Sequence, residues 1–199
     1  NEGAILAARN NKSSIEEADL EEASIKVTLG PERKTLQSEE ERKITAYHEA
    51  GHAIVATNLP EMDPVNRISI TARGGSLGHT SFPPERDRYK ETKTRLESMI
   101  SAMLGGRASE DLFFGEFTSG AADDIEKATR VARKMVTEYG MSSLGPISFN
   151  GHDEEKVWLA RQMGEYSHQS EEVASQVDRE IRKIIEDAYD KTKKILKDN

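Results

Sequence analysis

Residues 38–58 read SEEERKITAYHEAGHAIVATN. Ile44, Tyr47, Ala50, Ile54 and Val55 recur at helical spacing, which predicts a long helix ending before Leu59-Pro60. On such a helix His48 and His52 are four residues apart and stand one above the other on one face. Two imidazoles so placed can grip one metal ion. Glu49 is offset from them, and so addresses a metal-bound water and not the metal. Zinc lowers the pKa of such a water toward about 7, and a glutamate can take its proton as the water attacks a carbonyl. The competing reading is a hydrogen-bonded structural cluster or an exposed polar patch. Burying two His and a Glu among apolar neighbours without a partner is costly, which favours the metal.

A catalytic zinc site needs a third protein ligand and leaves one position for water. No third histidine follows His52 at the metzincin spacing, and the chain has no cysteine. The ligand must be a carboxylate from elsewhere. Glu110 and Asp111 in RASEDLFFG are candidates, as are Asp123 and Asp124 in TSGAADDIEKAT. The second pair lies at a predicted helix start, where carboxylates also serve as simple caps. Spacing alone does not separate the four. His79, His152 and His168 lack any paired spacing and read as surface or satisfied histidines. Trp158 and the methionines read as core, and no G-x-S-x-G supports serine catalysis.

Toward the N-terminus, residues 2–11 read as a helix and residues 13–24 as a second one, capped by Ser and carrying Ile15, Ala18, Leu20 and Ala23 on one face. Leu29-Gly30-Pro31 breaks the pattern, and the charged run 32–43 is half linker and half helix start. After residue 58 the period changes to two. Residues 65–71 alternate, Gly74-Gly75 interrupt them, and 77–82 resume, giving a short hairpin or meander. Thr94 with Glu97 resembles a capping box opening a helix with Leu96, Met99, Ile100, Met103 and Leu104 on its apolar face. Gly105-Gly106 interrupt that helix, which then runs on to Phe114. A loop at 118–121 precedes a helix over 123–139, closed by Gly140. The last 45 or so residues hold two helical segments, the longer carrying Val173, Val177, Ile181, Ile184, Ala188 and Ile195.

The chain has 199 residues, enough for one sizeable domain and part of another. Acidic residues outnumber basic ones 36 to 28, giving a net charge of -8. With no basic stripe, nucleic-acid binding is not expected. No stretch approaches the ~18 apolar residues of a membrane span, and no secretory signal opens the chain. The absence of an initiator Met suggests a piece of something longer.

HEAGH at 48–52, DPVNRISI at 63–70, GGSLGHT at 74–80, LGGRASED at 104–111, TSGAADDIEKAT at 118–129 and MVTEYGMSSLGP at 135–146 occur in that order. Together they resemble the peptidase domain of FtsH-type membrane-anchored AAA+ zinc metalloproteases. Linked motifs over so much of the chain are far more specific than H-E-x-x-H alone. The resemblance implies a mainly α-helical fold with a zincin-like H-E-x-x-H helix and a small β hairpin or meander beside it. It implies that residues 1–30 are a remnant of the AAA+ lid and linker and that 31–199 form the zinc metallopeptidase domain. The ATPase core and membrane anchor would then lie outside this chain. For the site it implies zinc (Zn2+) held by His48, His52 and Asp124, with Glu49 as the catalytic base and Asp123 as a non-ligand. His79 stands where the family more usually has an aromatic or apolar residue, which bears on substrate preference and not on the metal set.

The function so implied is a zinc endopeptidase module of an ATP-dependent protease of quality control. Its substrates would be unfolded or unneeded membrane and soluble proteins, bound extended along a strand edge in the 65–82 region. ATP and Mg2+ would serve the ATPase part. A homo-hexameric ring is expected, placed by an anchor outside this chain on the cytoplasmic face of a bacterial inner membrane. The mitochondrial inner membrane and the thylakoid are further hosts, and this fragment alone would be soluble. The alternatives are a structural zinc-binding interaction module with Glu49 idle, and a zinc hydrolase of small amides.

Overall fold

The computed structural model describes residues 1–34, 37–84, 87–149 and 171–199. Helices α1 (Glu2–Arg9) and α2 (Glu17–Leu29) form an antiparallel hairpin. The serines at 13 and 14 do not cap α2, contrary to expectation. Its N-cap is Glu16, paired with Asp19 in a reciprocal capping box, and the helix runs on to Leu29. Lys12 Nζ lies 2.9 Å from the buried Asp19 carboxylate, which fixes this later start. Ile15 and Leu20 are exposed, so the face predicted for this segment is only partly buried.

Gly30 ends α2 at φ +93° and meets Gly74 at φ +51°, both conformations that L side chains resist. A β-carbon on Gly30 would lie 3.2 Å from Gly74 Cα. This close approach lets Arg33 N donate to Ala72 O and lets Arg73 form a two-pronged pair with Glu22 at 2.8 and 2.9 Å. The linker is thereby fastened to the hairpin turn.

Helix α3 (Glu39–Thr57) carries the H-E-x-x-H residues, as predicted. Ser38 Oγ accepts from Glu41 N at 3.1 Å and Ser38 N donates to Glu41 Oε2 at 2.8 Å, a full capping box. Strands β1 (Arg67–Ser69) and β2 (His79–Ser81) pair antiparallel, with Ile68 opposite Thr80. The hairpin is where the alternation placed it, but shorter.

Helix α4 (Lys93–Met103) starts two residues earlier than the Thr94–Glu97 spacing predicts. Thr92 Oγ1 accepts from Arg95 N, so Thr94 falls inside the first turn. Leu104 separates α4 from α5 (Gly105–Phe114), the interruption expected at the paired glycines. Residues 119–121 are a single 3-10 turn and not an open loop. Helix α6 (Ala122–Thr137) follows, and Gly140 turns at φ +60° just beyond it, leaving Tyr139 exposed. Helix α7 (Glu171–Asp198) is the longer C-terminal helix. The other segment expected near the C-terminus lies outside the described residues, as do His152, Trp158 and His168.

Two apolar clusters hold these parts together. Leu96 and Ile100 of α4, Ala128, Ala132, Met135 and Val136 of α6, and Val177, Ile181 and Ala188 of α7 form the larger. Val55 and Ala56 at the end of α3, Ala102, Ala108 and Leu196 form the second. Fully burying a side chain such as Ile100 or Val55 contributes about 1.5–3 kcal/mol. The second cluster sits directly behind the histidine helix and fixes it against α5.

Candidate metal centre

Helix α3 crosses α5 at backbone contact because both carry glycine at the crossing. A β-carbon on Gly105 would lie 2.7 Å from Gly51 O, and one on Gly51 would lie 2.7 Å from Ser109 Cβ. Ser109 Oγ donates to Tyr47 O at 2.8 Å and locks the register. One residue on, Gly106 lies under the His48 imidazole, where a β-carbon would come within 2.6 Å of Cδ2. The paired glycines read from the sequence as a helix break are thus also the surface that receives His48.

Both histidines are buried and have acceptor-only partners on Nδ1. His48 Nδ1 donates to Glu110 Oε1 at 2.7 Å, and His52 Nδ1 donates to Ala102 O at 2.7 Å. These bonds place the proton on Nδ1 and turn the Nε2 lone pairs toward one point. The two Nε2 atoms are 3.1 Å apart. Asp124, in the first turn of α6, completes a triangle: its Oδ2 lies 3.2 Å from His48 Nε2 and 3.3 Å from His52 Nε2. Ligands about 2.0–2.1 Å from a tetrahedral zinc ion are ~3.3 Å from each other, so the three edges fit that ion. Among the described residues this is the one cluster of three His, Cys, Asp or Glu side chains with metal-binding spacing.

The electrostatics point the same way. Burial pushes the Asp124 carboxyl up, but His48 and His52 outweigh it and hold the group well below the usual carboxylate range. Burial pushes His48 down, but the carboxylates of Asp124 and Glu110 outweigh it and raise its pKa. The site favours positive charge at its centre, a demand that a dication meets.

The four carboxylates left open by spacing are separated by their surroundings. Glu110 is 1% exposed and sits behind His48, on the Nδ1 side; its Oε2 also accepts from Thr118 N at 2.6 Å. Asp111 faces α7, 2.8 Å from Lys193 Nζ and 3.0 Å from Tyr189 Oη. Asp123 is exposed and pairs with Lys127. Only Asp124 faces the two Nε2 atoms. His79 is half-buried on β2 and outside the cluster; burial holds it below the usual histidine range against the opposing pull of Glu49.

Glu49 is buried, follows His48 on α3, and its charge acts on His48. Thr80 Oγ1 of β2 lies 2.6 Å from its Oε2, and a β-carbon on Gly78 would fall 2.5 Å from its Oε1. The hairpin therefore lies against the glutamate of the motif. Sequence reasoning missed the parts of Glu110, Gly106 and Thr80, although each lies inside a motif quoted above. An adjacent Gly-Gly four residues before a Glu was the available signal.

The profile of Peptidase family M41 matches residues 35–199. The chain is 52% identical over 198 residues to a protein of Rubrobacter xylanophilus named ATP-dependent zinc metalloprotease FtsH, covering 98% of this chain and 30% of that one. A protein of Sphaerobacter thermophilus named ATP-dependent zinc metalloprotease FtsH 1 is 51% identical over 198 residues, covering 98% of this chain and 30% of that one. One of Thermoanaerobacter with the same name is 48% identical over 201 residues, covering 100% and 33%. The chain spans about a third of the length of these relatives. A profile match over most of the chain and identities near one half agree with the geometry of the His-His-Asp triangle, and the chain belongs to peptidase family M41.

Proposed function

We propose that this chain is a zinc endopeptidase that cleaves unfolded polypeptide, with His48, His52 and Asp124 as ligands and Glu49 as the general base. The observation that carries the reading is the triangle of 3.1, 3.2 and 3.3 Å edges, with Glu49 following His48 on α3. Zinc bound there would supply a Lewis acid that makes water a nucleophile at neutral pH and polarises the scissile carbonyl. Glu49 would accept the water's proton and pass it to the departing amine. Glu110 and the Ala102 carbonyl keep both imidazoles in the ligand orientation, and the Gly106 surface keeps His48 from rotating.

Residues 1–30 would belong to the lid and linker of an ATPase, and 31–199 to the peptidase domain. They would be part of an ATP-dependent, membrane-anchored, homo-hexameric protease whose ATPase part uses ATP and Mg2+. The relatives' names support the ATP-dependent part of this reading. Among the described residues no helix is long and apolar enough to cross a membrane. The face proposed is the cytoplasmic side of a bacterial inner membrane. The sheet has two strands, and β2 touches Glu49, which supports binding of an extended substrate along a strand edge of the hairpin.

The test is metal analysis of the purified chain with casein digestion by the wild type and Glu49→Gln. About one zinc per chain is expected in both. Activity of the variant should fall by about 100- to 10,000-fold. Bound zinc with no hydrolysis by the wild type would favour the structural module, and cleavage of small amides alone the amide hydrolase.

A further inference from the structure

We infer that Thr80 is a positioning residue that, together with the bare backbone at Gly78, holds the Glu49 carboxylate in its reactive orientation. The inference rests on the reading of Glu49 as general base. Thr80 lies in the middle of β2 and Gly78 just before it, and both approach Glu49 of α3. Thr80 bonds one oxygen of Glu49, and the missing side chain of Gly78 makes room for the other. The Thr80 hydroxyl is 2.6 Å from Oε2, while Gly78 leaves the room that Oε1 occupies.

The hydroxyl has one proton and two acceptors within reach, Oε2 at 2.6 Å and the Glu49 carbonyl at 3.0 Å. The charged, nearer acceptor is the stronger partner. The bond to Oε2 ties one of the two carboxylate oxygens to β2 and so limits rotation of the group. Gly78 has a φ that other residues adopt, so its need for glycine comes from Glu49: a β-carbon at position 78 would lie 2.5–2.9 Å from Oε1, Cγ and Cδ. Ser76 Oγ donates to Gly78 O, and the β1–β2 register from Arg67–Ser81 to Ser69–His79 fixes the strand that carries Thr80 and begins next to Gly78. The hairpin thus positions the base as well as offering an edge.

The experiment compares Thr80→Val, Thr80→Ser, Gly78→Ala and Glu49→Gln in the zinc-loaded chain, reading zinc content, melting temperature, kcat and KM on unfolded casein. Thr80→Val is expected to keep one zinc and an unchanged KM and to lose about 10- to 100-fold in kcat, as expected for a misplaced catalytic group. Thr80→Ser should restore turnover to within about threefold of wild type, since the hydroxyl is the working part. Gly78→Ala should lower kcat by a similar factor at constant zinc, which covers the case that Thr80→Val does not fold. Wild-type kcat in both Thr80→Val and Gly78→Ala, with Glu49→Gln inactive, would overturn the inference and leave Glu49 as base. Equal loss in Thr80→Ser and Thr80→Val, tracking melting temperature, would reduce Thr80 to a structural peg on the Glu49 carbonyl and also overturn it. An active Glu49→Gln would instead overturn the underlying reading of the base.

Discussion

The Glu110 carboxylate lies 2.7 Å from His48 Nδ1 and on the opposite side of the ring from Asp124. A carboxylate that spacing offered as a metal ligand is instead the partner that orients His48, a proposed ligand. Its other oxygen accepts from Thr118 N, immediately before the turn leading into α6 and Asp124. One buried side chain thus joins the two segments that carry the proposed ligands, α3 and the turn into α6. Glu110→Ala should keep a metal site but weaken zinc binding by about 10- to 100-fold, the usual cost of losing such a partner. A zinc competition titration with a chelator measures this. Asp124→Ala, by contrast, should remove stoichiometric binding.

Gly106→Ala places a methyl group against the His48 ring, and the ring has Glu110 on one side and Asp124 on the other. The ring must shift or α5 must move away. Overpacking of this kind costs about 1–3 kcal/mol. The expected result is a lower melting temperature together with weaker zinc binding. Gly51→Ala strikes the backbone of α5, so its loss in melting temperature should be the larger. Differential scanning calorimetry of the two variants decides the order.

The junction of α5 and α7 should weaken at both ends of the pH range. Lys193 and Tyr189 hold the Asp111 carboxyl below the usual range. Its contribution is present above the unfolded value of about 4 and is lost as pH falls through the lower folded value. Burial, aided by Asp111, raises Tyr189 to about 12. That contribution is present below the unfolded value of about 10 and is lost as pH rises toward the folded one. Asp111→Asn should lower stability at pH 7 by roughly the 0.2–1 kcal/mol of a partly exposed pair, and the difference should vanish near pH 2. Urea melts at a series of pH values test both limbs.

Asp63 is buried after α3, with Arg88 Nη1 and Arg95 Nη2 each 2.7 Å from its Oδ2. It fastens the loop behind the histidine helix to the start of α4. Asp63→Ala removes the carboxylate that Arg88 and Arg95 share, while Arg95 keeps Glu91 Oε2 at 2.8 Å, so the loss should fall below the cost of about 3–5 kcal/mol for a fully buried pair broken on one side. Equilibrium denaturation measures the loss, while the three ligands, which Asp63 does not touch, should still bind zinc in the folded fraction.

What was legible in the sequence was local. The apolar period of 38–58 and the His48–His52 spacing place α3 and its two nitrogens without further information. The alternation around Ile68 and Ile70 and the break at Gly105-Gly106 likewise follow from backbone chemistry. The third ligand did not. Neighbours such as Glu110 and Asp111, or Asp123 and Asp124, point about 100° apart on a helix. Which of each pair faces the site depends on how α5 and α6 are rotated. For α5 that rotation is set by contact with Gly51, 54 residues from Gly105 in the chain. The start of α4 was misplaced for a smaller reason: Thr92 and Thr94 both can cap, and the hydroxyl that reaches Arg95 N belongs to Thr92.

The most direct measurement is an anomalous-difference X-ray map at the zinc edge from crystals of the zinc-loaded chain. One peak per chain is expected within about 2.0–2.2 Å of His48 Nε2, His52 Nε2 and the Asp124 carboxylate, with Glu110 behind His48 and not on the metal. A peak bonded to Glu110, a peak away from the two histidines, or no peak at full zinc loading would contradict this ligand set.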